Sequence, residues 1–64
     1  MSKDYEVMTK EELNTEFADI KIELRNLVVA EVMGYGDPIK NAKQRAICDK
    51  NFNTVFELLR KHYN

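Results

Sequence analysis

Both glycines and the only proline of this 64-residue chain lie close together, in the stretch VMGYGDPIKN at residues 32–41. Either glycine can end a helix in the left-handed conformation that glycine adopts without strain. Asp37 followed by Pro38 is typical of the start of a second helix, with proline at the first helical position. This stretch therefore predicts a turn between two helical halves.

A helix start precedes this turn near the N-terminus. In MTKEEL, Thr9 can cap a helix while the Glu12 side chain bonds back to the cap amide, and Met8 can pack on Leu13 as a hydrophobic staple. Apolar residues then recur at spacings of three and four, which is a heptad seam on one helix face. The seam consists of Leu13, Phe17, Ile20, Leu24 and Leu27. We therefore predict a first helix from about Lys10.

The segment ADIKIEL allows a second interpretation of this half. Ile20, Ile22 and Leu24 alternate with charged residues in the period of a half-buried strand, so a strand pair over residues 18–33 would give a ββα layout. Against it, residues 10–33 contain no glycine or proline, and RN is a poor hairpin turn. A capping box also has no purpose before a strand, and we therefore predict a helix.

The second half contains no glycine or proline after Pro38, which favours one long helix to about His62. Its apolar stripe is Cys48, Phe52, Val55, Phe56, Leu59 and Tyr63. The stretch CDKNFNT, however, is rich in weak helix formers, and Thr54 opens a second capping box. Two shorter helices, about 38–48 and 54–62, are therefore the alternative to one.

The small size of the chain points to self-association. A domain of about 60 residues buries only about 60% of the surface of its unfolded form, so it needs a supplement such as disulfides, a metal or oligomerisation. Cys48 is the only cysteine, and with a single histidine the chain offers no zinc site. We predict an all-α fold, a helical hairpin or three-helix unit that forms a dimeric helical bundle. Residues 1–8 would be a flexible N-terminal arm and residues 9–64 one helical domain.

The charge is unevenly distributed along the chain. Residues 1–31 carry eight acids and four bases, whereas residues 32–64 carry six bases and three acids. One interpretation is an acidic helix packed beside a basic one, within the chain or across a dimer. The other is a dimeric nucleic-acid-binding regulator that uses the basic segment 40–50, for which a solvated helix face is the structural alternative. The candidate nucleic-acid contacts are Lys40, Lys43 and Lys50.

The residues do not form a pattern typical of catalysis, and we predict no enzymatic activity, no cofactor and no small-molecule substrate. A phosphate-binding loop would need a third glycine where Ile39 stands. The order helix, YGDP turn, helix resembles, over roughly half of the chain, the small hairpin phosphatases that act on aspartyl-phosphate in sporulation regulators. That family places a serine four residues before an essential aspartate, whereas Arg45 stands four residues before Asp49 here. Its activity is therefore not expected of this chain.

The apolar content exceeds what a hairpin of this length buries within itself, and LVVAEVM is apolar nearly all round the helix. We therefore expect a small regulatory protein-binding module, of inhibitor or adaptor type, that acts through helix-helix contacts on itself as a homodimer or on a larger protein. The predicted interface, for which an intramolecular core is the other interpretation, is Leu13, Phe17, Ile20, Leu24, Leu27, Phe52, Val55, Phe56, Leu59 and Tyr63. No run of residues is long and apolar enough to span a membrane or to serve as a signal peptide, so we expect a cytoplasmic protein.

Overall fold

The computed structural model describes residues 4–63. Residues 1–3 of the predicted arm and residue 64 of the predicted domain lie outside this range. Two long helices, α1 (Lys10–Met33) and α2 (Pro38–Tyr63), pack against each other as an antiparallel hairpin. One turn of 3₁₀ helix, Tyr5–Val7, precedes them. No residue of the described range lies in a strand. The predicted all-α hairpin is confirmed, and the strand interpretation of residues 18–33 is wrong.

The predicted capping box starts α1. The Glu12 amide donates to the Thr9 hydroxyl at 3.2 Å, and the Thr9 amide donates to the Glu12 carboxylate at 3.1 Å. Two amides that the helix itself cannot pair are thereby satisfied. Further along α1, Ile20 is buried while Ile22 is 59% exposed. Helical rather than strand periodicity therefore decides which of these isoleucines meets the core.

Short-range hydrogen bonds define the turn between the helices. Gly34 ends α1 at φ 74° and ψ 28°, in the left-handed region where a side chain would be strained. The Ile39 amide donates to the Asp37 carboxylate at 2.9 Å, which caps α2. The Asn41 side chain donates to the Tyr35 carbonyl at 2.8 Å across the turn. The predicted turn is therefore confirmed, and its geometry rests on residues within the turn itself.

The second half of the chain forms one continuous helix rather than two. The Thr54 hydroxyl donates to the carbonyl of Lys50 at 3.0 Å, four residues earlier. This bond is typical of a threonine inside a helix, and it takes the side chain away from the capping role that a new helix would need. Burial of Cys48 and Val55 on either side holds the intervening weak helix formers in α2.

The core lies between the two helices and is small. Its buried apolar side chains are Leu13, Ile20, Cys48, Val55 and Leu59. The half-buried Tyr5 and Met8 pack against it from the N-terminal segment, whereas Val7 between them is 78% exposed. Residues 4–8 of the predicted arm thus contribute two side chains to the hairpin.

The hairpin exposes more surface than a compact chain of its mass. Its accessible area is 5134 Å², against about 4,200 Å² from the usual scaling of area with mass. Its radius of gyration is 13.1 Å, whereas about 11 Å is usual for this length. The cause is the elongated shape, 39 × 21 × 14 Å, because two helices enclose a core on one side of each helix only.

Replacing Leu13 by alanine tests the assignment of the core. Leu13 is 1% exposed, so we expect Leu13→Ala to lower the free energy of unfolding by about 2–5 kcal/mol. The matched control is Ile22→Ala on the outside of the same helix, with an expected loss below about 0.5 kcal/mol. Urea unfolding followed by circular dichroism at one fixed protein concentration measures both. Equal losses in the two variants would contradict the assignment.

Candidate interaction surface

The structure divides the predicted interface residues into two groups. The first group is buried between the helices, where a partner that docks on the folded hairpin does not reach it: Leu13, Ile20, Val55 and Leu59. The second group remains partly or largely accessible: Phe17, Leu24, Leu27, Phe52, Phe56 and Tyr63. The second group is therefore the part of the predicted interface that is open to contact.

Three phenylalanines form a cluster along one side of the groove between α1 and α2. The ring centroids of Phe17 and Phe52 are 4.9 Å apart and tilted by 40°. The Phe56 ring lies 6.3 Å from Phe17 and 6.4 Å from Phe52, and it is nearly parallel to the Phe52 ring. These separations are in the favourable range for aromatic pairs. Phe56 is nevertheless 47% exposed, so the cluster is open to solvent on one side.

The cluster belongs to a longer apolar surface. Leu24 and Val28 follow Phe17 along α1 by seven and eleven positions, which places them on the same side of the helix. Tyr63 follows Phe56 on α2 by seven. We define the aromatic face as Phe17, Leu24, Val28, Phe52, Phe56 and Tyr63. Each helix thus presents heptad-spaced apolar side chains on the same side of the hairpin.

Polar contacts surround the aromatic face. The Asn14 side chain donates to the Tyr63 hydroxyl at 3.2 Å, and the Lys10 ammonium lies 4.0 Å from the centre of the Tyr63 ring. The Lys21 ammonium lies 4.9 Å from the centre of the Phe17 ring, in the range of a cation-π contact. Sequence reasoning missed the two contacts of Tyr63, because residues 49 and 53 positions apart meet only once the antiparallel register is known.

At the turn end of the same side, an ion pair crosses between the helices. The Arg45 guanidinium donates to the Glu31 carboxylate. Both side chains are substantially exposed, so the pair contributes little to stability and helps to fix the helix register.

The candidate nucleic-acid contacts lie on α2 outside the aromatic face. Lys40, Lys43 and Lys50 are exposed, and none of them forms an ion pair with another residue of the range 4–63. The Gln44 amide donates to the Glu23 carboxylate at 2.9 Å, which brings an acidic part of α1 beside this segment of α2. The Glu23 carboxylate close to this segment lowers the positive potential that a phosphate backbone would meet there.

A further apolar stripe follows the side of α1 that faces away from α2. We define the outer stripe as Ala18, Ile22, Arg25, Val29, Val32 and Met33. All of its members are exposed, and its first five members are spaced by four, three, four and three residues. The heptad spacing was visible in the sequence, yet only the structure separates it from the seam that meets α2.

A small cavity of about 140 Å³ lies beside the turn. Its lining is Ala30, Glu31, Gly34, Tyr35, Pro38, Asn41 and Ala42. Ligand pockets usually measure about 300–1,000 Å³, so this cavity has room for about one side chain of a partner.

Cys48 is buried in the hairpin, 2% exposed. Burial raises the pKa of its thiol, and the neighbouring carboxylates of Glu23 and Asp49 raise it further. A protonated, inaccessible thiol is a poor nucleophile and a poor metal ligand. Cys48 therefore serves as a small apolar side chain of the core.

Comparison with known proteins leaves the function to be argued from these surfaces. No protein-family model matches the chain, and no curated protein or solved structure matches it significantly. Within residues 4–63, no three acidic, histidine or cysteine side chains converge as a metal site, and neither helix is apolar enough to cross a bilayer.

The raised pKa of Cys48 predicts how stability depends on alkaline pH. Because the folded chain favours the protonated thiol, this stabilisation is complete below about pH 8.5, the pKa range of an unfolded cysteine. It is lost as the pH rises through the higher pKa of the folded state. The urea midpoint of the natural chain should therefore fall more steeply above that pH than the midpoint of Cys48→Ala. Parallel pH profiles would contradict the assignment.

Proposed function

We propose that this chain is a small regulatory protein-binding module that acts through helix-helix contacts. In this proposal two hairpins pair through their aromatic faces as a homodimer and form a four-helix bundle. The observation that carries the proposal is the half-open cluster of Phe17, Phe52 and Phe56. Aromatic rings of this kind, exposed in a monomer, are typical anchors of protein interfaces.

The excess surface of the hairpin supports a partner of the size of a second copy. The accessible area exceeds the expected value for a compact chain by roughly 900 Å². A standard stable interface removes about 800 Å² from each partner. Covering the aromatic face and its rim would therefore bring the exposure of each chain to the usual level.

The charges beside the aromatic face are self-complementary. Because Phe17 lies level with Phe52 in the antiparallel pair, Lys21 lies close to the level of Asp49, about one turn from these rings in each helix. A two-fold axis parallel to the helices keeps these levels and sets α1 of one copy beside α2 of the other. Lys21 of each copy would then face Asp49 of the other copy, so the axis forms the pair twice.

Introducing a charge on the aromatic face tests the homodimer. We expect the natural chain to sediment as a dimer and Phe56→Asp to sediment as a monomer, since a carboxylate in the bundle core would be desolvated without a partner. Phe56 is 47% exposed, so the variant should keep its helical circular dichroism. The matched control is Ile47→Asp, at a 53% exposed position of α2 outside the aromatic face, which should remain dimeric.

Two results of this sedimentation experiment would overturn the homodimer. One is a natural chain that stays monomeric at every concentration. The other is a loss of mass in Ile47→Asp that equals the loss in Phe56→Asp, because the contact would then lie elsewhere on α2.

A charge reversal tests the orientation of the two copies. Lys21→Glu should weaken the dimer by about tenfold, because two like-charge contacts with Asp49 form across the axis. Adding Asp49→Lys should restore most of that affinity, since the pair is then present with its signs exchanged. The dissociation constants of the single and double variants from sedimentation equilibrium measure the coupling. This orientation would be contradicted if the loss of dimer affinity in the double variant equalled the sum of the losses in the two single variants.

A further inference from the structure

The outer stripe of α1 is an apolar surface that neither the hairpin core nor the aromatic face uses. Ile22 and Val29 follow the buried Ile20 by two and nine positions, which is about 200° and 180° around the helix. Ile22, Val32 and Met33 are all more than half exposed. Their side chains therefore project away from α2, and the proposed homodimer through the aromatic face leaves them accessible.

Arg25 lies in the middle of this stripe, between Ile22 and Val29. A helix places positions 21, 22, 28 and 29 next to residue 25, and they hold a lysine and three apolar side chains. Arg25 forms no ion pair with another residue of the range 4–63. The guanidinium is thus a cation on an apolar surface, without a carboxylate of its own helix to pair with.

We propose that the outer stripe is the docking surface for an amphipathic helix of another protein. The helix would carry apolar residues at heptad spacing and one acidic residue that meets Arg25. Pairing an apolar helix with the heptad-spaced stripe buries the exposed valines, and the carboxylate gives the guanidinium a charge-assisted hydrogen bond. Arginine surrounded by apolar residues is also a typical anchor of protein interfaces.

The charge pattern favours this occupant over a second copy of the chain. A two-fold contact that covers the whole outer stripe is centred near Arg25 and brings together two identical surfaces, and the six members of the stripe contain no acid. Glu11, on the same side of α1, precedes Arg25 by two heptads, about 21 Å, so in this register it does not reach the Arg25 of the other copy. Each Arg25 would then be desolvated against apolar side chains or against the other Arg25. A foreign helix with a carboxylate at the matching position avoids this penalty.

The test uses two synthetic helical peptides as probes. Each has three heptads, leucine at the a and d positions, and blocked ends, and the central d position holds glutamate in one peptide and lysine in the other. Fluorescence anisotropy measures their binding to the natural chain and to Arg25→Glu. We expect the glutamate peptide to bind the natural chain at least about tenfold more tightly than the lysine peptide, and Arg25→Glu to invert this preference.

Two further variants separate this inference from the proposed homodimer. Val29→Asp should lose binding of both peptides and keep the sedimentation mass of the natural chain. Phe56→Asp should lose the dimer and keep the preference for the glutamate peptide. If the natural chain is monomeric yet the preference follows residue 25, the homodimer fails and the docking surface stands.

Three results would overturn the docking surface. The first is the absence of saturable binding of the glutamate peptide. The second is a preference between the peptides that Arg25→Glu leaves unchanged, since the contact would then lie elsewhere. The third is a loss of dimer mass in Val29→Asp, which would show that a second copy covers the stripe.

Discussion

Contact between two helices buries one stripe of side chains on each helix. A two-helix hairpin therefore leaves the other sides of both helices exposed. The stripe that holds α1 against α2 supplies a core of only a few side chains, centred on Leu13, Ile20 and Val55. Yet α1 carries apolar residues at heptad spacing in three directions: toward α2, along the aromatic face, and along the outer stripe. The hairpin by itself covers only the apolar side chains that point toward α2. The surfaces proposed for a second copy and for a foreign helix are the two directions that it leaves exposed.

The charged residues differ between these two surfaces. Lys21 on α1 and Asp49 on α2 lie beside the aromatic face, and the proposed two-fold contact would pair each of them with the other copy. The outer stripe has Arg25 and no acid, so a two-fold contact satisfies neither copy. Charged side chains at an interface contribute more to the choice and orientation of a partner than to affinity. The affinity comes from the buried apolar side chains. The two proposed contacts, with a second copy and with a foreign helix, therefore differ in the charges that they require.

Sequence predicted the features of the fold that depend on neighbouring residues. The Thr9 capping box and the turn at Gly34 are local patterns, and the structure confirms both of them. Of the heptad seam of α1, the structure buries Leu13 and Ile20. Sequence did not predict whether α2 is continuous, because the Thr54 hydroxyl can cap a new helix or bond back to Lys50. Nor did it separate core from accessible residues within the seam. That division depends on the antiparallel register, which brings Phe17 onto Phe52 and leaves Phe56 open.

The proposed homodimer requires that the aromatic faces of two copies meet. The most direct test is an isotope-filtered nuclear Overhauser experiment on an equal mixture of carbon-13-labelled and unlabelled chains. In the proposed dimer we expect intermolecular contacts between the Phe56 ring of one copy and the Phe17 ring of the other, because the two-fold axis keeps these rings within about one helical turn of the same level. We expect none from Ile22 or Val29. Intermolecular contacts confined to the outer stripe, or none from any phenylalanine ring, would contradict the proposed dimer.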